Sequence, residues 1–265
     1  MNMTRLLGDG DPSPVVEFDP AATAPDRRRT DSPFLFVSDH AGRAVPRALG
    51  DLGVPPDDWE RHIAWDVGVA AMGRMLAERL GSRLIEQAYS RLVIDCNRAP
   101  GHPTSIVRES DGTPVPGNHD LTVEHEGARV EEIFHPYHNR IAAELSARRG
   151  AGQPVVMVAL HSFTPRMNGI SRPWHAGVLH NRNPGFGLRV RDLLAAEEGL
   201  VIGSNEPYAL TDISDYTIPT HAEGRGLAYL ELEVRQDLIA TEGGQREWAE
   251  RLARILPQAW EGMGA

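Results

Sequence analysis

Cysteine is almost missing from this chain: of 265 residues only Cys96 is one, so no disulfide forms within it and the composition fits a reducing compartment. Long apolar runs are missing too. No segment approaches the roughly 20 residues that a membrane helix requires. Met1 to Asp31 holds no apolar stretch of signal-peptide length, so a soluble, cytoplasmic protein without a membrane partner is expected. Positive charge is scarce. The 27 Lys and Arg stand against 37 Asp and Glu, for a net charge of -10, which argues against nucleic acid or an anionic membrane as the main partner. A small anionic substrate would need local arginines working against that field. Internal repeats, a P-loop and a Gly-x-Gly-x-x-Gly turn are all absent, which leaves nucleotide-cofactor chemistry without support.

Apolar material is sufficient for a sizeable core. Hydrophobic residues make up 41% of the chain, which suits one large α/β domain over 1–265 whose first part, 1–32, is an irregular lead with a short strand at Val15-Val16-Glu17-Phe18. The chain is organised around Val155-Val156-Met157-Val158-Ala159-Leu160-His161. Six apolar residues in a row after Pro154 read as a strand buried on both faces, and it runs out on a histidine. In an open α/β sheet the ligand crevice lies beyond the carboxyl ends of the strands, so that histidine is placed to hold a metal or move a proton.

Other apolar runs end in the same way. Phe34-Leu35-Phe36-Val37 leads into Ser38-Asp39-His40-Ala41-Gly42, and Leu92-Val93-Ile94 reads as a strand leading from Arg91 into Asp95-Cys96-Asn97-Arg98. The strand expected over 227–234 alternates, so that Tyr229, Glu231 and Glu233 share one side. Strands are also expected over 83–88, 176–180 and 200–202. The positions Ile63, Val67, Ala70, Ala71, Met75 and Leu80 recur at helical steps and predict a helix over 57–80 with His62 and Asp66 on one face. Helical spacing recurs over 121–149, where His135 and His138 read as structural, and over 187–198 and 245–261. Polar loops cover 101–117, 166–173 with Arg166 and Arg172, and 212–225 with Tyr216 and His221.

Strand ends thus supply His40, His161, Glu231 or Glu233, and the group Arg91, Asp95, Asn97 and Arg98. Two histidines and a carboxylate are the ligand set of a catalytic zinc, which leaves a fourth position for water. A free glutamate beside that water would take its proton and pass it to a leaving nitrogen. Arginines with an asparagine between them would clamp a substrate carboxylate. No His-Glu-x-x-His helix motif is present, so the ligands are dispersed along the chain. Together these residues favour a metal-dependent hydrolase of a small carboxylate-bearing amide.

The same segments resemble the N-formylglutamate amidohydrolase family, itself similar to the zinc carboxypeptidases and to the aspartoacylase and succinylglutamate desuccinylase group. The likeness runs from Phe34 to Ile239 through Ser38-Asp39-His40-Ala41-Gly42, Ser90-Arg91-Leu92-Val93-Ile94-Asp95-Cys96-Asn97-Arg98, Leu160-His161-Ser162 and Glu231-Leu232-Glu233-Val234-Arg235-Gln236-Asp237-Leu238. It implies a three-layer αβα sandwich with a mixed central sheet, phosphorylase/hydrolase-like and zinc carboxypeptidase-like, with bound Zn2+ and a small-molecule N-acyl amino acid as substrate. On the matching positions, His40 and His161 resemble zinc ligands and Glu233 resembles the catalytic glutamate, with Glu231 as its rival. Asn97 and Arg98 resemble the pair that grips the substrate α-carboxylate, and Arg91 the arginine that polarises the scissile carbonyl.

One position departs from the peptidase and acylase relatives. They place a glutamate three residues after the first histidine, and Arg43 stands there. Asp66 is the expected replacement ligand, with Asp39 as the alternative. The segment His62-Ile63-Ala64-Trp65-Asp66-Val67-Gly68 also departs from the family's histidine-degrading enzymes. His221 is a candidate hydrogen-bond donor at the oxyanion or the substrate side chain, and Arg172 and Arg166 are candidates for binding a second carboxylate. The expected activity is zinc-dependent cleavage of the N-formyl or other N-acyl amide of a small amino acid such as N-formylglutamate, with Glu233 as base and then acid. A carboxypeptidase-type metallopeptidase acting on short peptides and a catalytically silent carboxylate-binding protein are the competing readings. The sequence is silent on oligomeric state.

Overall fold

The computed structural model describes residues 5–23, 32–167 and 169–264, so parts 1–4 and 24–31 of the expected lead lie outside the described residues. In chain order the strands are β1 (Val15–Phe18), β2 (Phe34–Ser38), β3 (Arg83–Gln87), the ribbon β4 (Glu109–Ser110) and β5 (Thr113–Pro114), and β6 (Val156–Phe163). They continue with a second ribbon, β7 (Arg166–Met167) and β8 (Ile170–Ser171), then β9 (Ala176–Leu179), β10 (Ile202–Ser204) and β11 (Ala228–Arg235). The α-helices are α1 (Pro20–Thr23), α2 (Val69–Leu80), α3 (Val123–Arg129), α4 (His135–Gly150), α5 (Gly185–Ala195) and α6 (Glu242–Glu261).

Seven strands form one sheet in the order β1-β3-β2-β6-β11-β9-β10. The four at its centre, β3, β2, β6 and β11, run parallel, whereas β1 is antiparallel to β3 and β9 is antiparallel to β11. Every residue of β2 and β6 is buried. Such strands have no polar side to give to water, so helices must cover both faces of the sheet. On one face Leu35, Val37, Ile85, Met157 and Tyr229 join a core with Phe134, Tyr137 and Ile141 of the α3–α4 segment. On the other, Phe36, Leu84, Val158, Leu230 and Leu232 join side chains of α2, α5 and α6, among them Met72, Val190 and Leu252. The result is a three-layer α/β/α sandwich on a mixed sheet, as expected. No helix among the described residues is long and apolar enough to cross a membrane.

Two expected elements are replaced by turns, and both replacements build the site. The helix expected over 57–80 begins only at Val69. Before it, Pro56–Glu60 is a single 3-10 turn, and Gly68 sits in the left-handed region with φ 81°. A β-carbon at Gly68 would run into the Ile239 carbonyl and the backbone there disfavours any other residue, so the chain cannot continue as helix through this point. His62 and Asp66 therefore do not share a helical face. Instead the Asp66 amide donates to the His40 carbonyl at 2.9 Å, which fixes the Asp66 loop to the end of β2.

The strand expected at Leu92-Val93-Ile94 is also absent: these residues are buried, but in tight turns. Their carbonyls find side chains instead of a ladder, with Asn118 Nδ2 donating to Leu92 O at 2.8 Å and Arg129 Nη1 to Val93 O at 2.7 Å. Burial without backbone pairing partners in a sheet is possible only because those two side chains satisfy it. Periodicity over 121–149 is honoured by α3 and α4, joined through a wide helical turn at Val130–Phe134.

Candidate metal centre and active site

The parallel order brings the carboxyl ends of β2, β6 and β11 to one edge, where they border a cavity of about 430 Å³. His40 follows β2, His161 lies near the end of β6, and Glu233 stands beside His161 in the β6–β11 register. Alternation on β11 turns Tyr229, Glu231 and Glu233 to the same face, and both glutamates line the cavity with His40 and His161.

Asp66 is the centre of the arrangement. Its Oδ2 lies 3.0 Å from His161 Nδ1 and 3.5 Å from His40 Nδ1, and it accepts from the Ser162 amide at 3.1 Å. The far side of each imidazole faces a further buried carboxylate: His40 Nε2 lies 2.7 Å from Asp95 Oδ1, and His161 Nε2 lies 3.3 Å from Asp39 Oδ2. Asp39 is itself held by the Thr217 hydroxyl, which donates to its Oδ1 at 2.7 Å. Arg91 closes the group, its guanidinium reaching Asp66 Oδ1 at 3.3 Å and Asp95 Oδ2 at 3.1 Å.

This set suits a small dication. Ligand atoms of His40, Asp66 and His161 lie within 4.8 Å of one another, and all three residues are buried. Ligands about 2 Å from a tetrahedral zinc stand about 3.3 Å apart, which the 3.0 and 3.5 Å separations around Asp66 approach. Imidazole ligands whose second nitrogen faces a carboxylate are the usual outer support of such a site. His40 Nδ1 is buried without a hydrogen-bond partner among the described residues. The electrostatics agree. Burial should push the His161 imidazolium down, yet Asp39 and Asp66 hold it well above its ordinary range; His40 is raised against burial and Arg91 by Asp95 and Asp66. Burial would raise Asp66, but His40 and His161 reverse this and hold it far below the usual carboxylate range. Such surroundings demand positive charge, which two imidazolium protons or one dication can supply, and binding the metal releases the protons.

The two glutamates differ. Burial pushes Glu233 up to about 7, with Asp66 adding to the rise and His161 and Arg91 opposing it. Glu231, one strand pleat deeper, is held well above the ordinary range by burial and then by Asp215. Each keeps a buried oxygen, Oε2, without a hydrogen-bond partner among the described residues.

Asn97 and Arg98 line the cavity, but the Asn97 amide is largely engaged. Its Oδ1 accepts from the Tyr216 and Thr217 amides at 3.0 Å each, and Nδ2 donates to Asp215 Oδ1 at 3.2 Å. Asn97 therefore fixes the 215–217 loop over the site. Arg98 donates to the Asn97 carbonyl at 2.9 Å and lies 3.5 Å from Asp215 Oδ1.

Three expected substrate contacts, Arg166, Arg172 and His221, are not in the cavity wall. Arg172 stands behind it, its guanidinium donating to the Tyr208 hydroxyl at 2.9 Å and stacked 4.8 Å over that ring. His221 is not on an open polar loop: it is buried in a short helical turn with Nε2 3.0 Å from His138 Nδ1, and His138 Nε2 is 2.8 Å from the Cys96 carbonyl. Arg43 is turned away from the site, paired with Glu60 and stacked over Trp65. Sequence reasoning did not single out Asp95 as the His40 partner or Thr217 and Asp215 as loop anchors. Asp95 stands two residues before Asn97 in the quoted motif; for Thr217 and Asp215 no local pattern distinguishes them.

The His138–His221 pair carries a stability prediction. Burial pushes His138 down to about 4 and His221 to about 3, while the unfolded chain takes up protons below about 6.5. The unfolded state therefore binds more protons in between, and stability falls as pH drops from 6.5 towards 4. Replacing His138 with Gln removes its share: between pH 7 and 5 the urea-derived stability of wild type should fall by about 2 kcal/mol more than that of the variant. Equal slopes would refute this.

Residues 32–240 match the family described as N-formylglutamate amidohydrolase. A solved structure of a gene product from Agrobacterium tumefaciens is 31% identical with a TM-score of 0.92, the match covering 98% of this chain and 100% of that one. The crystal structure of N-formylglutamate amidohydrolase from Ralstonia eutropha is 21% identical with a TM-score of 0.65, covering 95% and 100% of the two chains, and shares the fold. No curated protein matches the chain.

Proposed function

Since the chain belongs to the N-formylglutamate amidohydrolase family, we propose that it is a zinc-dependent hydrolase of small N-acyl amino acids, with His40, Asp66 and His161 as ligands and Glu233 as the proton-transfer group. The observation that carries the reading is the convergence of two buried imidazoles on Asp66 Oδ2, with Glu233 next to His161 across the strand pair. Zinc, when bound, supplies Lewis acidity that makes a water nucleophilic near neutral pH and polarises the acyl oxygen.

The chain's own groups do the rest. Glu233 accepts the proton of the water that attacks the acyl carbon, then delivers it to the amide nitrogen as the C–N bond breaks, releasing a carboxylate such as formate and a free amino acid. Arg91, on the cavity wall and held by Asp66 and Asp95, stabilises negative charge developing on the acyl oxygen. Arg98 binds the substrate α-carboxylate, and Asn97 holds the 215–217 loop beside it. A 430 Å³ cavity suits a small molecule better than a peptide, and Asp66 beside both imidazoles offers the carboxylate that Arg43 does not, which supports the hydrolase reading over a silent binding protein.

Elemental analysis of the purified protein coupled to formate release from a panel of N-formyl amino acids, N-formylglutamate included, tests the proposal. About one zinc per chain with formate released is expected. Absence of zinc binding after reconstitution would end the hydrolase reading.

A further inference from the structure

Resting on that hydrolase reading, we infer that the substrate carries a single carboxylate and an uncharged side chain, so that acidic N-acyl amino acids such as N-formylglutamate are disfavoured. A glutamate-like substrate brings two carboxylates and needs two cationic partners. Among the described residues only two arginines, Arg91 and Arg98, line the cavity. Arg91 already spans Asp66 and Asp95, whereas Arg98 has one carboxylate, Asp215, at 3.5 Å and no side-chain hydrogen bond to it, which leaves Arg98 for one substrate carboxylate. His62 is also in the wall, but burial pushes its imidazolium down and it lies 3.5 Å from Asp111.

The arginines expected to hold a second carboxylate are elsewhere. Arg172 does not line the cavity and is engaged by the Tyr208 hydroxyl and Met167 Sδ, and Arg166 donates to the Gly169 carbonyl at 3.1 Å. Four carboxyl groups, Asp95, Asp215, Glu231 and Glu233, share the cavity with the two arginines. A second substrate carboxylate would enter without a cationic partner, and burying a charge unpaired is a strong means of rejection.

The rest of the wall is uncharged but mixed, with hydroxyl-bearing residues such as Thr104, Ser110 and Thr164 beside apolar ones. Ile63, Leu92, Val107, Phe163, Met167 and Leu179 border the cavity. An uncharged aliphatic side chain finds surface there to bury against.

The test compares N-formyl-L-leucine with N-formyl-L-glutamate in two ways: formate release by the zinc-loaded wild type, and calorimetric binding to Glu233→Gln, which does not need turnover. The leucine compound should show a kcat/KM at least about 100-fold higher and the tighter binding. Equal values, a preference for glutamate, or a selective loss on glutamate in Arg172→Ala would overturn the inference. Formate from neither compound would count against the hydrolase reading alone, because the binding comparison still decides: selective binding of the leucine compound supports the inference, and equal or undetectable binding of both refutes it.

Discussion

Replacing His161 with alanine is expected to remove metal and activity together, taking zinc content from about one per chain to near zero and hydrolysis to background. His161 lies within ligand range of Asp66 and turns its other nitrogen to Asp39, so its loss leaves two buried carboxylates without their common partner. Breaking buried charged pairs from one side costs about 3–5 kcal/mol, so the variant should also melt earlier. The milder Asp66→Asn keeps shape and hydrogen-bond capacity while removing the charge that a cation needs. Zinc retained at parental stoichiometry in both folded variants would exclude this site.

Glu233→Gln has the other large effect. General acid–base groups contribute about 10²–10⁴-fold, and kcat should fall by that much while zinc content stays at the parental value. The acid limb of kcat/KM should vanish as well. Glu233 is a base only when ionised; burial lifts it to about 7, and a bound cation pulls it down from there, so the wild-type rate should rise with pH to a plateau reached by about neutrality. Glu231→Gln is the discriminating control. Burial and Asp215 hold that carboxyl well above its ordinary range, which makes it the poorer base of the two, so a glutamine there should cost much less. A larger loss in Glu231→Gln than in Glu233→Gln would exchange the two assignments.

The fold of the sheet was readable because strand character is local. Unbroken apolar runs at 34–37 and 155–160 can be buried only on both faces, and two-residue alternation along β11 places Glu231 and Glu233 on one side whatever packs around them. Alternation offered Glu231 or Glu233, with the preference for Glu233 coming from the family resemblance; His40 and His161 followed from position at run ends. Leu92-Val93-Ile94 misled for the same reason. Its composition records burial, and burial is met here by turns whose carbonyls are bonded by Asn118 and Arg129, residues 26 and 36 positions away.

Asp66 shows where local pattern stops. Helical spacing assigned it to a helix face, whereas its place beside His40 and His161 is set by the reversal at Gly68, which is pressed against Ile239, and by the bond from its amide to the His40 carbonyl. The sequence by itself determined the sheet's buried strands and which side chains stand at their ends, because those depend on the residues' own polarity and period. Only the tertiary structure decided which carboxylate faces both imidazoles, that Asp95 and Asp39 support them, and that Arg172 and His221 are withheld from the cavity. Those choices rest on distances between segments up to 178 residues apart, such as Asp39 and Thr217, and no local preference of the chain encodes them.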